Sequence, residues 1–456
     1  MYRWQFGITA VCHFFLVPVT IGLAFLVAGY ETAWFRTGRD SWQRLAEFYG
    51  KLLLISYAVG VITGIVQEFQ FGIDWSPYSR LVSDVFGAPM AIQALAAFAV
   101  VATLLGLWWF GRGYLPTGIH LACIWLAAVA MSGSAYFILA VNSWLQHPVG
   151  YRYDPVTHRA EITSFVDVFT NPVQLVTFPH TMAGCFLVAG GLATGVAMWH
   201  LLRAKGGRQA DALVWRGALK TGAVTTIAAA VATMVSGDVQ GKLMTHYQPM
   251  KMAAAEALYH TAQPAPFSLF TIGTLDGSRP VFEITLPRLL SFLATGDFNA
   301  KVEGIDNLQS MYTRLYGPGS YLPIIPVSYW SFRLMIATGM LAALVAVVAL
   351  WSLRGGRMPA DWPGWHRTLL RWTTLGLPFL PLLASSLGWV FTEMARQPWL
   401  IFGHLTISQG ASDGAAGREI TVLVVLIFLY GLLAAATGWL MWRSARSGLG
   451  EPDSVR

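Results

Sequence analysis

Residues 327–353 read VSYWSFRLMIATGMLAALVAVVALWSL, a stretch in which Arg333 is the only charged side chain. A helix of about 20 apolar residues crosses the hydrocarbon core of a membrane, so this stretch predicts a transmembrane span. Similar stretches bring the total to about nine, the others being 7–30, 50–72, 88–111, 119–142, 175–202, 217–236, 368–394 and 419–442. The sequence therefore predicts an all-α integral membrane protein, a bundle of about nine transmembrane helices.

The composition of the whole chain supports this fold class. Of its 456 residues, 55% are hydrophobic and 12% are charged, whereas soluble proteins carry about 25% charged residues. The chain has too little polar surface to cover a water-facing globule, which excludes a soluble enzyme. Its first apolar stretch is longer than a signal-peptide core and no cleavage site follows, so we expect it to remain in the mature chain.

The basic residues predict how the bundle is oriented. The formal net charge is +7, yet no run of Lys or Arg occurs, so we expect no nucleic-acid partner. Loops rich in Lys and Arg stay in the cytoplasm, which predicts an outer N-terminus and a cytoplasmic C-terminus. The residues that decide this are Arg36, Arg39, Arg44 and Lys51, then Arg203, Lys205, Arg208 and Arg216, then Arg354, Arg357, Arg367 and Arg371, and finally Arg443 and Arg446.

The predicted spans divide the chain into three parts. Residues 1–236 hold helices 1–6, and residues 327–456 hold helices 7–9 with a short cytoplasmic tail. Residues 237–326 lie between them on the outer face, and their mixture of charged, aromatic and turn-forming residues predicts a folded or half-folded cap.

Ionisable side chains inside the predicted spans are candidate functional groups, because a charge in lipid costs several kcal/mol. They are His13, Glu68, His120, His180, Arg333 and Glu393. His13, His180 and Met335 fall about 8–15 Å below the outer surface at 1.5 Å per residue, and Glu393 ends its span near the same level. Two histidines, a methionine and a carboxylate at one depth suit axial binding of haem iron. Hydrogen bonding between helices by the histidines and core packing by Met335 are the alternatives.

Three more charged residues would complete such a site. Arg333 precedes Met335 by two residues and would neutralise a haem propionate, or else form an interhelical pair or extend to the membrane surface. In the outer segment, Lys251 and Glu256 are five residues apart, on similar but not identical faces of a helix. Together they would bind a quinol head group, with Glu256 as the base. A surface ion pair is the alternative.

Eight motifs in the sequence resemble those of subunit I of the cytochrome bd quinol oxidases. The resemblance covers essentially the whole chain, and it implies that family's nine-span haem-binding bundle with an outer quinol loop of the shorter kind. The motifs are RWQFG (3–7), GIVQEFQFG (64–72), FGAP (86–89), NSWLQHP (142–148), FPHT (178–181), KMAAAE (251–256), SFRLM (331–335) and GWVFTEMARQPW (388–399).

The resemblance assigns haem ligands by position. It implies that His180 and Met335 are the axial ligands of a low-spin haem b, with Arg333 beside it. His13 and Glu393 resemble the ligands of two further haems, a high-spin haem b and a haem d, at the catalytic site. Which of the two residues binds which haem is open, and so is whether a haem b stands in place of haem d.

The resemblance also implies a function and partners. Lys251 and Glu256 resemble the family's quinol-contacting pair, and Trp389 resembles an aromatic residue between haems. The implied protein is the catalytic subunit of an electrogenic quinol:oxygen oxidoreductase in the bacterial plasma membrane, which oxidises quinol at the outer face and reduces O2 to water. Implied partners are a homologous subunit II, sometimes a small single-span subunit, and the lipid and quinone of the membrane. Ubiquinol and menaquinol are both open.

Three positions depart from the family's pattern. The third span usually carries two glutamates, where this sequence has Gln93 and Val101. Those acids supply protons or charge compensation to the oxygen-reducing haems, and neither an amide nor an isopropyl group titrates. Glu31 is then the obvious carboxylate of the inner half, so protons come through waters, hydroxyls and a partner subunit, or oxygen reduction is slow or uncoupled. Ala395 replaces a glycine and suggests slightly altered packing near Glu393.

Two other functions stay open. A divergent paralogue would bind haem and quinol but would have lost or changed oxygen reduction, as Gln93 and Val101 suggest. A haem-free polytopic transporter would also be a bundle of this size, and it would purify as a colourless protein.

Overall fold

Nine long apolar helices occur in the part of the chain that the structure describes, as the sequence predicts. The structure is a computed structural model that describes residues 2–203, 209–274, 279–412 and 416–450; Lys205 and Arg208 of the basic loops lie outside these residues. The helices long and apolar enough to cross a membrane are Gly7–Thr37, Asp40–Ile73, Ser83–Phe110, Thr117–Gln146, Phe165–Arg203, Asp211–Tyr247, Ile325–Trp351, Gly364–Met394 and Ile420–Ser447.

The elements follow one another along the chain with short connections. The helices are α1 (Tyr2–Thr37), α2 (Asp40–Ile73), α3 (Ser76–Leu81), α4 (Ser83–Ala94), α5 (Val101–Phe110), α6 (Thr117–Gln146), α7 (Phe165–Phe169), α8 (Pro172–Arg203), α9 (Gln209–Tyr247), α10 (Pro249–Glu256), α11 (Leu289–Thr295), α12 (Ile305–Tyr316), α13 (Ile325–Trp351), α14 (Gly364–Met394), α15 (Ile407–Gly410) and α16 (Ala416–Ser447). The strands form three antiparallel hairpins, which are β1 (Tyr151–Asp154) with β2 (Arg159–Ile162), β3 (Phe267–Gly273) with β4 (Pro280–Leu286), and β5 (Trp399–Ile401) with β6 (Leu405–Thr406).

Several helices extend beyond the apolar stretches that predict them, because a helix needs backbone hydrogen bonds but not lipid-facing side chains. The clearest difference is α9, which continues to Tyr247 instead of ending at 236. Asp238 and Lys242 pair there across one helical turn at 2.5 Å, and such pairs stabilise polar helix. Helix α9 therefore continues about three turns into the segment that the sequence places on the outer face.

Helix α8 is the centre of the bundle. In its most apolar window 78% of the residues are buried, against 11% for the third span. The backbones of α8 and α9 touch, since a Cβ placed on Gly190 would lie 2.7 Å from the amide nitrogen of Thr226. Lipid gives helices no hydrophobic reason to associate, so close packing at small residues is what joins them. Candidate residues on α8 consequently lie inside the bundle, and the third span lies at its edge.

Basic side chains join helix ends at the end of the bundle that is predicted to be cytoplasmic. Arg44 near the start of α2 pairs with Asp211 near the start of α9 at 2.6 Å. Arg216 of α9 donates to the carbonyl of Leu353, just after α13, at 3.1 Å. Arg367 of α14 donates to a carbonyl near the end of α8 at 3.1 Å. These contacts place the basic loops on one side, while the sidedness of the membrane stays a prediction.

The third span is interrupted by a π-helical segment at Leu95–Val100, between α4 and α5. The segment lies between Gln93 and Val101 along the chain. The hydroxyl of Tyr57 on α2 donates to the carbonyl of Ala97 within it at 2.7 Å. π-helical turns inside α-helices are frequent at functional sites, so the irregular backbone marks this part of the third span as a place of interest.

The outer segment is folded over residues 248–274 and 279–324, as the sequence predicts. Helix α10 is buried, and its Met250 packs in one cluster with Tyr312 of α12 and Tyr329 of α13. Strands β3 and β4 pair from Phe267 opposite Leu286 to the hairpin end. The cap is therefore fixed directly on the seventh span.

Candidate functional site

His180 is held in one tautomer by a hydroxyl group of the neighbouring helix. Its Nδ1 lies 3.0 Å from Oγ of Ser236 on α9. Ser236 donates its own proton to the carbonyl of Ala232 at 2.7 Å, so its oxygen accepts and Nδ1 of His180 donates. A neutral imidazole has one ring proton, so Nε2 keeps its lone pair. Metal-binding histidines are fixed in this way, with one nitrogen bonded to the protein and the other free to bind.

His13 is held by the same arrangement between α1 and α2. Its Nδ1 lies 2.9 Å from Oγ1 of Thr63, and the Thr63 hydroxyl donates to the carbonyl of Gly60 at 3.0 Å. Nδ1 of His13 is therefore the donor, and Nε2 again keeps its lone pair. The predicted alternative, hydrogen bonding between helices, is present in both histidines, but among the described residues it uses Nδ1 alone.

A glycine follows each of these hydroxyl residues and leaves room at the ring. A Cβ on Gly64 would lie 3.2 Å from Cε1 of His13, and a Cβ on Gly237 would lie 3.4 Å from Cε1 of His180. The pairs Thr63-Gly64 and Ser236-Gly237 are visible in the sequence. They are the signal that sequence reasoning missed.

Met335 lies on α13 against a glycine of α14. A Cβ on Gly388 would lie 3.0 Å from its sulfur atom, which is closer than side chains normally approach. The thioether therefore occupies space that only glycine at this position leaves open. Met335 is half-buried, and its roles as haem ligand and as core packing both remain open.

Trp389 connects the eighth span to the first. Its ring stacks on Phe14 with 4.2 Å between ring centroids, and Phe14 directly follows His13. Trp389 also lies one helical turn before Glu393. The stack therefore places His13 and Glu393 on helices that touch at the same level of the bundle.

Both oxygens of the Glu393 carboxylate accept hydrogen bonds. Asn142 on α6 donates to Oε1 at 2.8 Å, and Arg396 donates to Oε2 at 2.5 Å. Each carboxylate oxygen has a second lone pair. The two hydrogen bonds therefore orient the carboxylate and still leave each oxygen able to bind another group. Asn142 and Arg396 fall inside the motifs quoted above, but their role was not predicted.

Arg333 is paired with the cap. Its NH2 group lies 2.6 Å from Oε2 of Glu256, and the two side chains are 9% and 2% exposed. The guanidinium also lies over the ring of Phe267, with 4.5 Å to the centroid. Of the predicted alternatives for Arg333, the pair between helices is the one that the structure contains.

The same guanidinium has hydrogen-bond donors that are not used in the pair with Glu256. Nε and NH1 of Arg333 are buried and have no hydrogen-bond partner among the described residues. A buried unpaired donor costs about 1–3 kcal/mol, so an anionic ligand that accepts these bonds would be stabilised. A haem propionate two residues from the Met335 position fits that requirement.

Lys251 and Glu256 are both buried and bind different partners, so the predicted alternative of a surface ion pair is wrong. The amine of Lys251 donates to Oε1 of Gln146 at 2.9 Å and to the carbonyl of Thr392 at 3.2 Å. Burial lowers the pKa of Lys251 to about 7, although the charge of Glu393 opposes the shift. Lys251 can therefore exchange a proton near neutral pH.

Glu256 is the second proton-exchanging group of α10. Burial raises the pKa of its carboxyl group, although Arg333 opposes the shift. Its Oε2 accepts from Arg333 and, at 3.4 Å, from the amide of Ser268. Oε1 is the oxygen left to accept a substrate proton.

Taken together, the residues fit haem. Two fixed imidazoles and a thioether are groups that bind haem iron, and a guanidinium with unpaired donors suits a haem propionate. Within the described ranges, no three His, Cys, Asp or Glu side chains are grouped as a metal site, so the predicted ligands are not parts of a larger protein-only cluster.

Comparisons with known proteins agree with this chemistry. The model of the family "Cytochrome bd terminal oxidase subunit I" matches residues 1–449. The chain is 37% identical over 448 residues to cytochrome bd ubiquinol oxidase subunit 1 of Bacillus subtilis (strain 168), covering 98% of this chain and 93% of that protein. It is 34% identical over 504 residues to cytochrome bd-II ubiquinol oxidase subunit 1 of Escherichia coli (strain K12), covering 98% and 96%.

A solved structure is also similar. The fold superposes on bd oxidase from Geobacillus thermodenitrificans with a TM-score of 0.85 and 26% sequence identity, and the match covers 98% of each chain. The likeness therefore extends over the bundle and the cap together.

Proposed function

The chain belongs to the family of cytochrome bd terminal oxidase subunit I, the haem-bearing catalytic subunit of a respiratory terminal oxidase, and on that premise we propose that it oxidises membrane quinol beneath the outer cap and reduces O2 to water inside the bundle. The observation that carries the proposal is the pair of fixed histidines, His13 and His180, each with Nε2 left to bind iron. His180 and Met335 would hold a low-spin haem b. His13 and Glu393 would hold the haems of the catalytic site, with Trp389 beside them.

When bound, the haems would carry electrons from quinol and provide the iron at which oxygen is reduced. The protein's own groups then have three tasks. Arg333 would donate hydrogen bonds to a haem propionate through Nε and NH1. Asn142 and Arg396 orient the Glu393 carboxylate. The hydroxyls of Thr63 and Ser236 keep the imidazole rings from turning.

Quinol oxidation releases protons, and α10 offers two groups that accept them. Glu256 is the base, because burial raises the pKa of its carboxyl group, which makes it a better proton acceptor than an exposed carboxylate. Lys251, with a pKa of about 7, is partly neutral and takes up a second proton. Both lie in the outer segment, so the protons would leave on the outer side. With the protons for oxygen reduction taken from the cytoplasm, the reaction would be electrogenic.

The remaining features of the proposal come from the family. The cofactors would be two haems b and one haem d, or a third haem b in its place. The partners would be the homologous subunit II and, in some assemblies, a small single-span subunit. The site of action would be the bacterial plasma membrane.

The test begins with the absorption spectrum of the purified complex and then its oxygen uptake with reduced quinol. We expect visible haem and brisk uptake. His180→Gln should lose the low-spin haem spectrum and the uptake. His200→Gln is the matched control, because His200 lies on the same helix but stacks on Trp215 at 4.1 Å. It should keep both properties.

Each contrary result identifies a different error. A colourless protein would favour the transporter. Haem that quinol reduces, without oxygen uptake, would favour the divergent paralogue, and restoring glutamate at Gln93 and Val101 should then raise the uptake. An unchanged spectrum in His180→Gln would reject the ligand assignment.

A further inference from the structure

A second buried polar cluster lies at the opposite end of the bundle, near the basic loops. Glu31 on α1 is 0% exposed and His120 on α6 is 3% exposed. Nδ1 of His120 lies 2.8 Å from Oε1 of Glu31, and its Nε2 lies 2.7 Å from the carbonyl of Trp108. Nothing in the function proposed above uses these two side chains.

The hydrogen bonds require one proton between the pair. A carbonyl only accepts, so Nε2 of His120 carries a proton and donates to Trp108. If the imidazole is neutral, Nδ1 presents a lone pair, and Glu31 must be protonated to bond with it. If Glu31 is ionised, Nδ1 must be protonated as well. In either form one proton lies between Nδ1 of His120 and Oε1 of Glu31. Without that proton, a lone pair of the nitrogen would face a lone pair of the oxygen.

The surroundings balance the charge of that proton. Arg112 places NH2 3.3 Å from Oε2 of Glu31 and NH1 2.8 Å from Oε1 of Glu47. Two carboxylates, one guanidinium and one imidazolium are neutral together, and loss of the proton leaves a single negative charge.

Solvent reaches this cluster from the side of Arg112 and Glu47. The side chains of Arg112 and Glu47 are 23% and 30% exposed, whereas Glu31 and His120 are sealed behind them. Among neighbouring titratable groups, Tyr30 bonds to Thr221 at 2.8 Å and Tyr49 bonds to the carbonyl of Ala193 at 3.1 Å. Both hydroxyls are thus engaged with α8 and α9, so Arg112 and Glu47 are the charged groups that face the pair.

We propose that Glu31 and His120 form a proton-loading site, which takes one proton from water on the predicted cytoplasmic side past Arg112 and releases it into the bundle for oxygen reduction. The site would replace the acids that the third span lacks at Gln93 and Val101. After the shared proton is released, His120 is neutral and Glu31 is ionised. A proton taken up from water then restores the hydrogen bond between them.

This inference rests on the proposed oxidase function, because oxygen reduction is what would consume the proton. The site lies 18 residues from His13 along α1, or about 27 Å at 1.5 Å per residue. It therefore supplies protons to the inner end of the bundle and does not itself touch the haem ligands.

The first test needs no turnover. Infrared difference spectra of the purified complex between low and high pH report carboxyl and imidazole protonation separately. We expect the carboxyl and imidazole bands to change together, and each single variant, Glu31→Gln or His120→Gln, should shift the bands of the remaining partner. If the wild-type imidazole signal persists unchanged in Glu31→Gln, the two residues do not share a proton and the inference is overturned.

The second test measures whether the site supplies protons for oxygen reduction. Oxygen uptake with quinol should fall about 100-fold in Glu31→Gln, the lower end of what a positioned proton-transfer group contributes, while quinol still reduces the haems. The double variant Glu31→Gln/His120→Gln keeps a hydrogen-bonded link without a titratable group, so it separates proton supply from folding. Asp211→Asn, which breaks the Arg44 pair at the same end, is the matched control and should keep its uptake.

The outcomes are distinguishable. Uptake equal to wild type in the double variant overturns the loading site but leaves the oxidase function intact. If the wild-type complex itself consumes no oxygen, the proposed function fails, and a persisting imidazole signal in the infrared test would still overturn the shared proton.

Discussion

Replacing Lys251 with methionine is expected to stabilise the folded chain, and the gain should depend on pH. Burial lowers the pKa of Lys251 from its ordinary value of 10.5 to about 7. One pKa unit corresponds to about 1.4 kcal/mol, so the charged amine costs the folded state about 5 kcal/mol at pH 7 and below. A methionine of similar length has no charge to desolvate and avoids that cost.

The sign follows from where the proton is bound. Below pH 7 the amine is protonated in both the folded and the unfolded chain, so the cost is constant. Between pH 7 and 10.5 the unfolded chain still holds a proton that the folded chain has lost, so wild-type stability rises with pH. The advantage of Lys251→Met should therefore be about 2–3 kcal/mol smaller at pH 9 than at pH 6.

Denaturant titrations in detergent at the two pH values measure this difference in the free energy of unfolding. Lys242→Met is the control, because Lys242 forms a half-exposed pair with Asp238 and its loss should change stability by about 1 kcal/mol or less. An advantage of Lys251→Met that is the same at pH 6 and pH 9 would refute the reasoning.

Three more substitutions probe the site. Ser236→Ala removes the acceptor that fixes the imidazole on α8, and it should weaken retention of the low-spin haem by about 10–100-fold, measured as haem transfer to an acceptor globin. Gly388→Ala would place a Cβ 3.0 Å from the sulfur of Met335, so we expect the thioether to move and the absorption of the reduced low-spin haem to shift. Glu256→Gln leaves the Arg333 guanidinium buried without its counter-charge and should cost about 3–5 kcal/mol in the free energy of unfolding.

Each of these substitutions has a matched control. Ser132→Ala removes a hydroxyl of α6 that bonds only within its own helix, so it should retain haem. Gly184→Ala adds a Cβ with nothing within 4 Å, and its spectrum should match that of wild type. The double variant Glu256→Gln/Arg333→Met should recover most of the lost stability; if it does not, the pair is not the reason for the loss.

The spans were predictable because length and apolar content suffice to define a transmembrane helix. The assignments of His13, His180, Met335 and Glu393 as ligands stay predictions, resting on residue type, depth and family resemblance. The structure adds the groups that orient them. The hydroxyl-glycine pairs next to the histidine rings were visible in the sequence. Their role becomes apparent only from the contacts between helices, which place each pair against a histidine ring.

Other contacts were beyond sequence reasoning because they join distant parts of the chain. Arg333 and Glu256 are 77 residues apart, and Lys251 lies 105 residues from Gln146. A local pattern places each residue on a helix face but not the helix that faces it. The five-residue spacing of Lys251 and Glu256 suggested a common partner. Helix α10 is buried on both sides, so each of the two residues has a different partner.

The hydroxyl groups that fix the two imidazoles also limit how the gene can change. Each helix turns 100° per residue, so one inserted or deleted residue before Thr63 or Ser236 would rotate the hydroxyl away from its histidine. The flanking glycine would move with it. Insertions and deletions within α2 and α9 should therefore be eliminated by selection, whereas the exposed β1–β2 hairpin between α6 and α7 can vary in length.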